Sequence, residues 1–134
     1  MCQGKRYGFG FTLVEILMVV VILSVLATVI IPRFTGYVDR GVEASTKSNL
    51  QTLRSSVQTY YAMHNNTWPA SNLSSLLTTN GGTLAKIPNE AITNQSKVVN
   101  VLDGTGGWLY EPATHDVGVN LNGNDSTGSP YSGY

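Results

Sequence analysis

Side chains able to carry out chemistry are few in this chain of 134 residues. There is one cysteine, Cys2, and there are two histidines, His64 and His115. A lone cysteine excludes both an internal disulfide and a cysteine-based zinc site. The histidines have no nucleophile or ligand spacing around them that would indicate a catalytic pair. We therefore expect no catalytic residue, no metal and no cofactor, and a protein that is not an enzyme.

The acidic and basic residues also give little indication of a binding site. Asp103 and Asp125 lie among asparagines, but their spacing is not that of an EF-hand loop, so calcium binding is the less favoured interpretation. Eight Lys and Arg balance eight Asp and Glu, and charged residues make up 12% of the chain. A neutral chain without a basic tract argues against an electrostatically driven nucleic-acid binder.

One acidic residue, Glu15, lies in an unusual place. It is the single charge in an apolar run of 21 residues, 11–31. At about 1.5 Å per residue, a helix of this length reaches roughly 31 Å, enough to cross a bilayer core of about 30 Å. Lys5 and Arg6 precede the run. The positive-inside tendency therefore leaves the short leader in the cytoplasm and carries the rest of the chain across the membrane.

Two general interpretations of the apolar run leave something unexplained. A secretory signal peptide, cut near Ala27, has an apolar region of only about 7–15 residues and seldom an acid within it. A plain membrane anchor explains the length of the run but not Glu15. A third interpretation depends on the residues around the start of the run.

The stretch Gly10-Phe11-Thr12-Leu13-Val14-Glu15 resembles the type IV prepilin signature, in which a glycine precedes a phenylalanine and a glutamate is fifth in the mature chain. Pro32 falls at the twenty-second mature position, where many type IV pilins have proline. The resemblance is strong over residues 5–61 and weaker beyond them. It favours a prepilin leader followed by a pilin stalk.

This resemblance implies a processing site. A prepilin peptidase would cut between Gly10 and Phe11, which removes leader residues 1–10, and the new amine of Phe11 would be N-methylated. Loss of Lys5 and Arg6 leaves six basic against eight acidic side chains, and loss of Cys2 leaves no cysteine. Many type IV pilins close a C-terminal loop with a disulfide. This chain must hold its head by packing and hydrogen bonds instead.

Two roles are open for Glu15. It lies near the start of the predicted helix, where a carboxylate interacts favourably with the helix N-terminus. The prepilin resemblance implies the second role, which is to pair with the positive amine of Phe11 in a neighbouring subunit. A lone carboxylate in hydrocarbon costs a few kcal/mol, which either role would offset. Because the whole motif resembles the prepilin signature, we favour the pairing role.

The elements that hold these residues begin with one long helix. Residues 11–32 are the transmembrane or filament-core part, and apolar spacings of three and four continue the helix from residue 33 to about residue 64. Pro32 is expected to kink the helix. In assembled filaments of the family that this chain resembles, the stalk can lose helicity near the proline, which implies that residues 24–41 are the pliable part. The pair Asn65-Asn66, shortly before Trp68-Pro69, predicts where it ends.

The remaining sequence predicts a small head. Leu73, Leu76 and Leu77 suggest a short helical turn, and alternating residues predict three antiparallel strands, at 97–102, 107–111 and 116–121. Trp108 is predicted to be a core residue. The fold class is therefore α+β: a long N-terminal helix packed on a small antiparallel sheet, with a head domain over residues 33–121. Residues 122–134, rich in Gly, Ser and Asn, form a predicted flexible tail.

The resemblance implies a structural subunit of a type IV pilus, located in the inner membrane as a prepilin and at the cell surface in the filament. Its implied partners are other copies of itself, the prepilin peptidase, an assembly ATPase, a platform membrane protein and the membrane. The main alternative is a type II secretion pseudopilin in a short periplasmic pseudopilus. A monomeric membrane-anchored binding module is the alternative from a different class of protein.

Overall fold

The structure, a computed structural model, describes residues 10–134, except for the side chain of Thr35. Cys2, Lys5 and Arg6, with the other residues of the predicted leader up to residue 9, lie outside the described residues. The chain divides into two compact units between Tyr37 and Val38. One long helix, α1, contributes residues to both units.

Helix α1 covers Leu13–Met63. Its first part carries the apolar run, and this part is long and apolar enough to cross a membrane. Pro32 lies inside the helix, and helical geometry is continuous on both sides of it. The predicted kink at Pro32 stays a prediction.

The end of α1 agrees with the sequence prediction. Asn65 and Asn66, just after Met63, both have left-handed backbone conformations, with φ of 50° and 60°. Asparagine tolerates this conformation better than most residues, so it ends helices readily. Nδ1 of His64 lies 3.0 Å from the carbonyl oxygen of Tyr60, one of the last carbonyls of the helix.

The core of the second unit forms where α1 meets the sheet. Leu50, Leu53 and Val57 recur at helical spacing and are buried against Trp108 and Tyr110. Trp108 is fully buried, as predicted, and its Nε1 donates a hydrogen bond of 2.7 Å to the carbonyl of Pro88. The other buried apolar residues of this core are Leu73, Leu76, Val117, Val119 and Leu121.

The sheet has three strands in the order β1-β2-β3. They are β1 (Val98–Val99), β2 (Trp108–Glu111) and β3 (Asp116–Val119). Short 3-10 helices occur at Ser74–Leu76, Thr78–Asn80 and Tyr131–Gly133. The α+β class is confirmed, with the first of these helices at the predicted helical turn.

One feature of the predicted sheet was wrong. Strands β2 and β3 are antiparallel, but β1 pairs with β2 in parallel, with Val98 opposite Trp108. The chain must therefore reverse twice between β1 and β2. Gly106 and Gly107, both with positive φ, make this possible: a side chain at Gly107 would overlap the carbonyl oxygen of Lys97. The connection makes both reversals within eight residues, 100–107, and the resulting sheet is mixed.

Residues 122–134, predicted to be mobile, make specific contacts with α1. Both carboxylate oxygens of Glu43 accept hydrogen bonds of 2.7 Å from Ser126, one from its backbone N–H and one from its hydroxyl. Arg54 donates from Nη2 to the backbone oxygen of Tyr134 at 2.8 Å. Asp125 is buried among the same contacts. The motion of this segment stays untested.

Candidate processing and assembly site

The predicted cleavage site lies outside regular structure. Gly10 and Phe11 precede the first residue of α1, and 78% of the surface of Phe11 is exposed. A Cβ atom added at Gly10 would meet no neighbouring atom. An exposed peptide bond beside a helix, with open space around it, is the kind of backbone that a peptidase can reach.

Glu15 makes a defined contact within its own chain. The backbone N–H of Glu15 donates to the hydroxyl of Thr12 at 3.2 Å, and the backbone N–H of Thr12 donates to Oε2 of Glu15 at 3.4 Å. This reciprocal pair is a capping box, which satisfies two backbone donors at the start of a helix. Sequence reasoning missed it, although the spacing Thr-x-x-Glu before an apolar run is its signal.

The capping box leaves the Glu15 carboxylate available to a second partner. The bond from Thr12 is long, and it uses one of two oxygens that together accept up to about four hydrogen bonds. The carboxylate also lies in the first turn of α1, at the positive end of the helix. A neighbouring ammonium group is therefore compatible with the capping geometry.

The helix that follows exposes its apolar side chains all around. Relative exposure of the large apolar residues between Leu13 and Ile31 runs from 83% at Leu13 to 47% at Ile30. A helix that is apolar on every side is stable when it is surrounded by lipid or by other apolar helices. This segment therefore requires a membrane or neighbouring chains to cover it.

The remaining candidate residues make contacts within the head. His115 stacks on Trp68 with ring centroids 4.1 Å apart, and its Nδ1 lies 3.4 Å from the hydroxyl of Tyr110. Hydrogen bonds from Asn120 and Thr105 hold the pKa of Asp103 well below its usual range. Within residues 10–134, no three His, Cys, Asp or Glu side chains come together as a metal site would require.

Sequence comparison agrees with this arrangement. Residues 5–31 match the family model described as the prokaryotic N-terminal methylation motif. The match includes the exposed Gly10–Phe11 bond, the capping box and the apolar run. The start of the chain thus combines the methylation motif with an apolar helix long enough to cross a membrane.

The curated relatives identify the family more closely. The chain is 32% identical over 65 residues to the type II secretion system core protein G of Aeromonas hydrophila, which covers 48% of this chain and 45% of that protein. It is 34% identical over 53 residues to the type IV major pilin protein PilA of Myxococcus xanthus, and this match covers 40% of this chain and 24% of that protein. It is 30% identical over 98 residues to a fimbrial protein of Neisseria meningitidis, and this match covers 69% of this chain and 57% of that protein.

Together, the motif and these relatives place the chain in the type IV pilin and pseudopilin family. The chain spans about half the length of the first curated relatives that it matches. No solved structure matches it at comparable significance.

Proposed function

We propose that this chain is a structural subunit of a type IV pilus filament. The observation that carries the proposal is the position of the methylation motif. It lies at the exposed start of a helix whose apolar side chains have no cover within the described residues. Polymerisation through residues 11–31 would bury these side chains against other copies. At roughly 25 cal/mol per Å² of apolar surface, that burial is the main driving force for assembly.

Processing would prepare the N-terminus for assembly. Cleavage between Gly10 and Phe11 leaves the apolar run intact and creates an ammonium group at Phe11, which N-methylation leaves positively charged. In the filament this group would pair with Glu15 of a neighbouring subunit. The pair neutralises both charges in an apolar environment and fixes the stagger between subunits, since each partner has one position along the helix.

Mass spectrometry of the N-terminal peptide tests the proposal. Extracellular filaments sheared from cells are compared with the membrane fraction. We expect an abundant peptide that begins with N-methylated Phe11 in the sheared material. A terminus that remains at Met1, or one beyond Ala27, would show that the chain is an anchored monomer or a secreted protein.

Variants at the capping box separate the two roles of Glu15. Glu15→Gln keeps a side chain that can cap the helix but removes the charge, whereas Thr12→Ala removes the cap and keeps the charge. If pairing governs assembly, Glu15→Gln abolishes filaments while Thr12→Ala retains most of them, with both proteins processed normally. Normal filament yield from Glu15→Gln would eliminate the pairing role.

The relatives named as core protein G favour a second candidate, a type II secretion pseudopilin. This function uses the same N-terminal helix but confines the filament to the periplasm. Processed, N-methylated protein found only in the cell envelope would support it. In either case the further partners we propose are a prepilin peptidase, an assembly ATPase and an inner-membrane platform protein.

A further inference from the structure

An exposed apolar pair lies on the head, away from the N-terminal helix. Beyond Met63, the large apolar side chains that remain exposed among the described residues are those of Val101, at 76%, and Leu102, at 42%. They lie next to each other in the connection between β1 and β2. Side chains of this kind, held together on a surface, are often part of an interface.

The backbone on both sides of this pair is fixed in place. Before it, the side chain of Asn100 donates to the carbonyls of Ser71 and Tyr110 at 3.0 and 2.8 Å. After it, the fully buried side chain of Asn120 accepts from the backbone N–H of Asp103 and donates to its carboxylate. Val101 and Leu102 are therefore presented to solvent by a connection anchored at both ends.

A recess of matching character lies elsewhere on the same unit, between α1 and the C-terminal segment. Its cavity volume of about 550 Å³ falls within the roughly 300–1,000 Å³ typical of binding pockets. Leu50, Pro130 and Tyr134 give it apolar walls. Lys47 and Arg54 also line it, and the chain contributes no acidic residue to this lining.

The charges around the two features are opposite. Asp103 follows Leu102 directly, and its side chain remains 46% exposed although its Oδ2 lies 3.6 Å from Nζ of Lys97. Across the recess, the side chain of Lys47 is 52% exposed and that of Arg54 is 30% exposed. Each cation already contacts an acid of its own chain, but each has further N–H donors for a second acceptor.

We propose that Val101 and Leu102 of one copy dock into the recess of the next copy, with Asp103 beside Lys47 and Arg54. The two surfaces differ, so the contact is head-to-tail and can repeat from one copy to the next along a filament. This inference rests on the proposed function and names a second contact between subunits, formed by the heads.

Disulfide trapping tests the contact in assembled filaments. Leu102→Cys and the recess residue Gln51→Cys are combined in a Cys2→Ser background, so that no native cysteine interferes. Bridging requires Cα atoms within about 7 Å of each other. Mild oxidation is expected to give a ladder of covalent oligomers from the double variant. In the control, Leu102→Cys is combined with Thr59→Cys, which is exposed on α1 outside the recess, and no ladder is expected.

The outcomes distinguish a failure of this contact from a failure of the proposed pilus function. Filaments of the double variant that give no ladder would overturn the docking and leave the pilus proposal intact. If the wild-type chain forms no filament at all, the proposed function fails and the docking fails with it. As a second measurement, Leu102→Asn is expected to lower filament yield at least several-fold, while leaving processing at Phe11 unchanged. An unchanged yield would also contradict the docking.

Discussion

At the scale of single residues, Asn120 organises more of the head than its polarity suggests. Its buried amide makes four hydrogen bonds: it accepts from the N–H groups of Asp103 and Gly104, and it donates to the Asp103 carboxylate and the Gly106 carbonyl. These bonds close the reversal that makes β1 parallel to β2. This amide is costly to replace, because the buried Gly106 carbonyl would lose its bond without gaining water.

We predict that Asn120→Ala destabilises the head by about 1–3 kcal/mol, because the buried Gly106 carbonyl loses its donor and three partly buried bonds are lost with it. Thermal unfolding of the full chain in detergent measures this through the fluorescence of the buried Trp108. Asn122→Ala, at an exposed position two residues on, serves as the control and should change stability by less than about 0.5 kcal/mol. Equal effects of the two variants would contradict the role given to Asn120.

At the scale of elements, the sequence predicted those features that depend on residues close together in the chain. The apolar spacings of three and four predicted the helix beyond residue 33, and Asn65-Asn66 predicted where it ends. Of that apolar series, Leu50, Leu53 and Val57 are buried, whereas Phe34 and Val38 are exposed. These features depend on residues within a few positions of one another.

Long-range contacts explain what the sequence did not reveal. The orientation of β1 depends on Asn120, which lies 17 residues from its partner Asp103. The contacts of residues 122–134 depend on Glu43, which lies 83 residues from its partner Ser126. Composition alone predicted mobility for that segment, because Gly, Ser and Asn are common in loops. At the candidate site, the sequence predicted Gly10, Phe11 and Glu15 as functional residues. The capping role of Thr12 was recognised only from the hydrogen bond between its hydroxyl and the backbone N–H of Glu15.

The C-terminal segment should make the stability of the head sensitive to acid. Oδ1 of Asp125 accepts bonds of 2.7–2.9 Å from Thr127 and Ser129, and Oδ2 accepts one of 2.8 Å from Tyr134. The hydrogen bond from the Thr127 hydroxyl is the main cause that lowers the pKa of Asp125 well below its usual range. The folded state therefore binds this proton more weakly than the unfolded state.

A depressed pKa contributes stability above the ordinary aspartate value of about 3.9, and this contribution is lost as pH falls toward the folded value. We predict that the wild-type head loses stability below about pH 4 and that Asp125→Asn shows a shallower loss. The remaining loss of stability in acid comes from Asp103, whose pKa is also lowered and which this variant leaves unchanged. Acid titration of the unfolding midpoint in detergent checks this, and Asp39→Asn, at an exposed position on α1, is the control. Parallel curves for wild type and Asp125→Asn would disprove the assignment.

At the scale of the whole molecule, α1 serves two environments. Residues 13–31 need apolar surroundings, whereas residues 50–57 carry the core of the head. Pro32 lies between these two parts of the helix. Proline has no N–H, so the carbonyl of Thr28 lacks the usual helical donor four residues on. We therefore expect the helix to open most readily near Pro32.

This weakness leads to a prediction about the assembled filament. In a helix interior, proline costs about 3 kcal/mol relative to alanine. We expect Pro32→Ala to slow hydrogen exchange of the amides in residues 24–41 by a factor on the order of ten or more. Mass spectrometry of exchanged filaments measures it, with Val29→Ala as the control, because that change leaves every backbone N–H in place. Equal exchange in wild-type and Pro32→Ala filaments would mean that the neighbouring subunits, rather than Pro32, determine how readily this stretch opens.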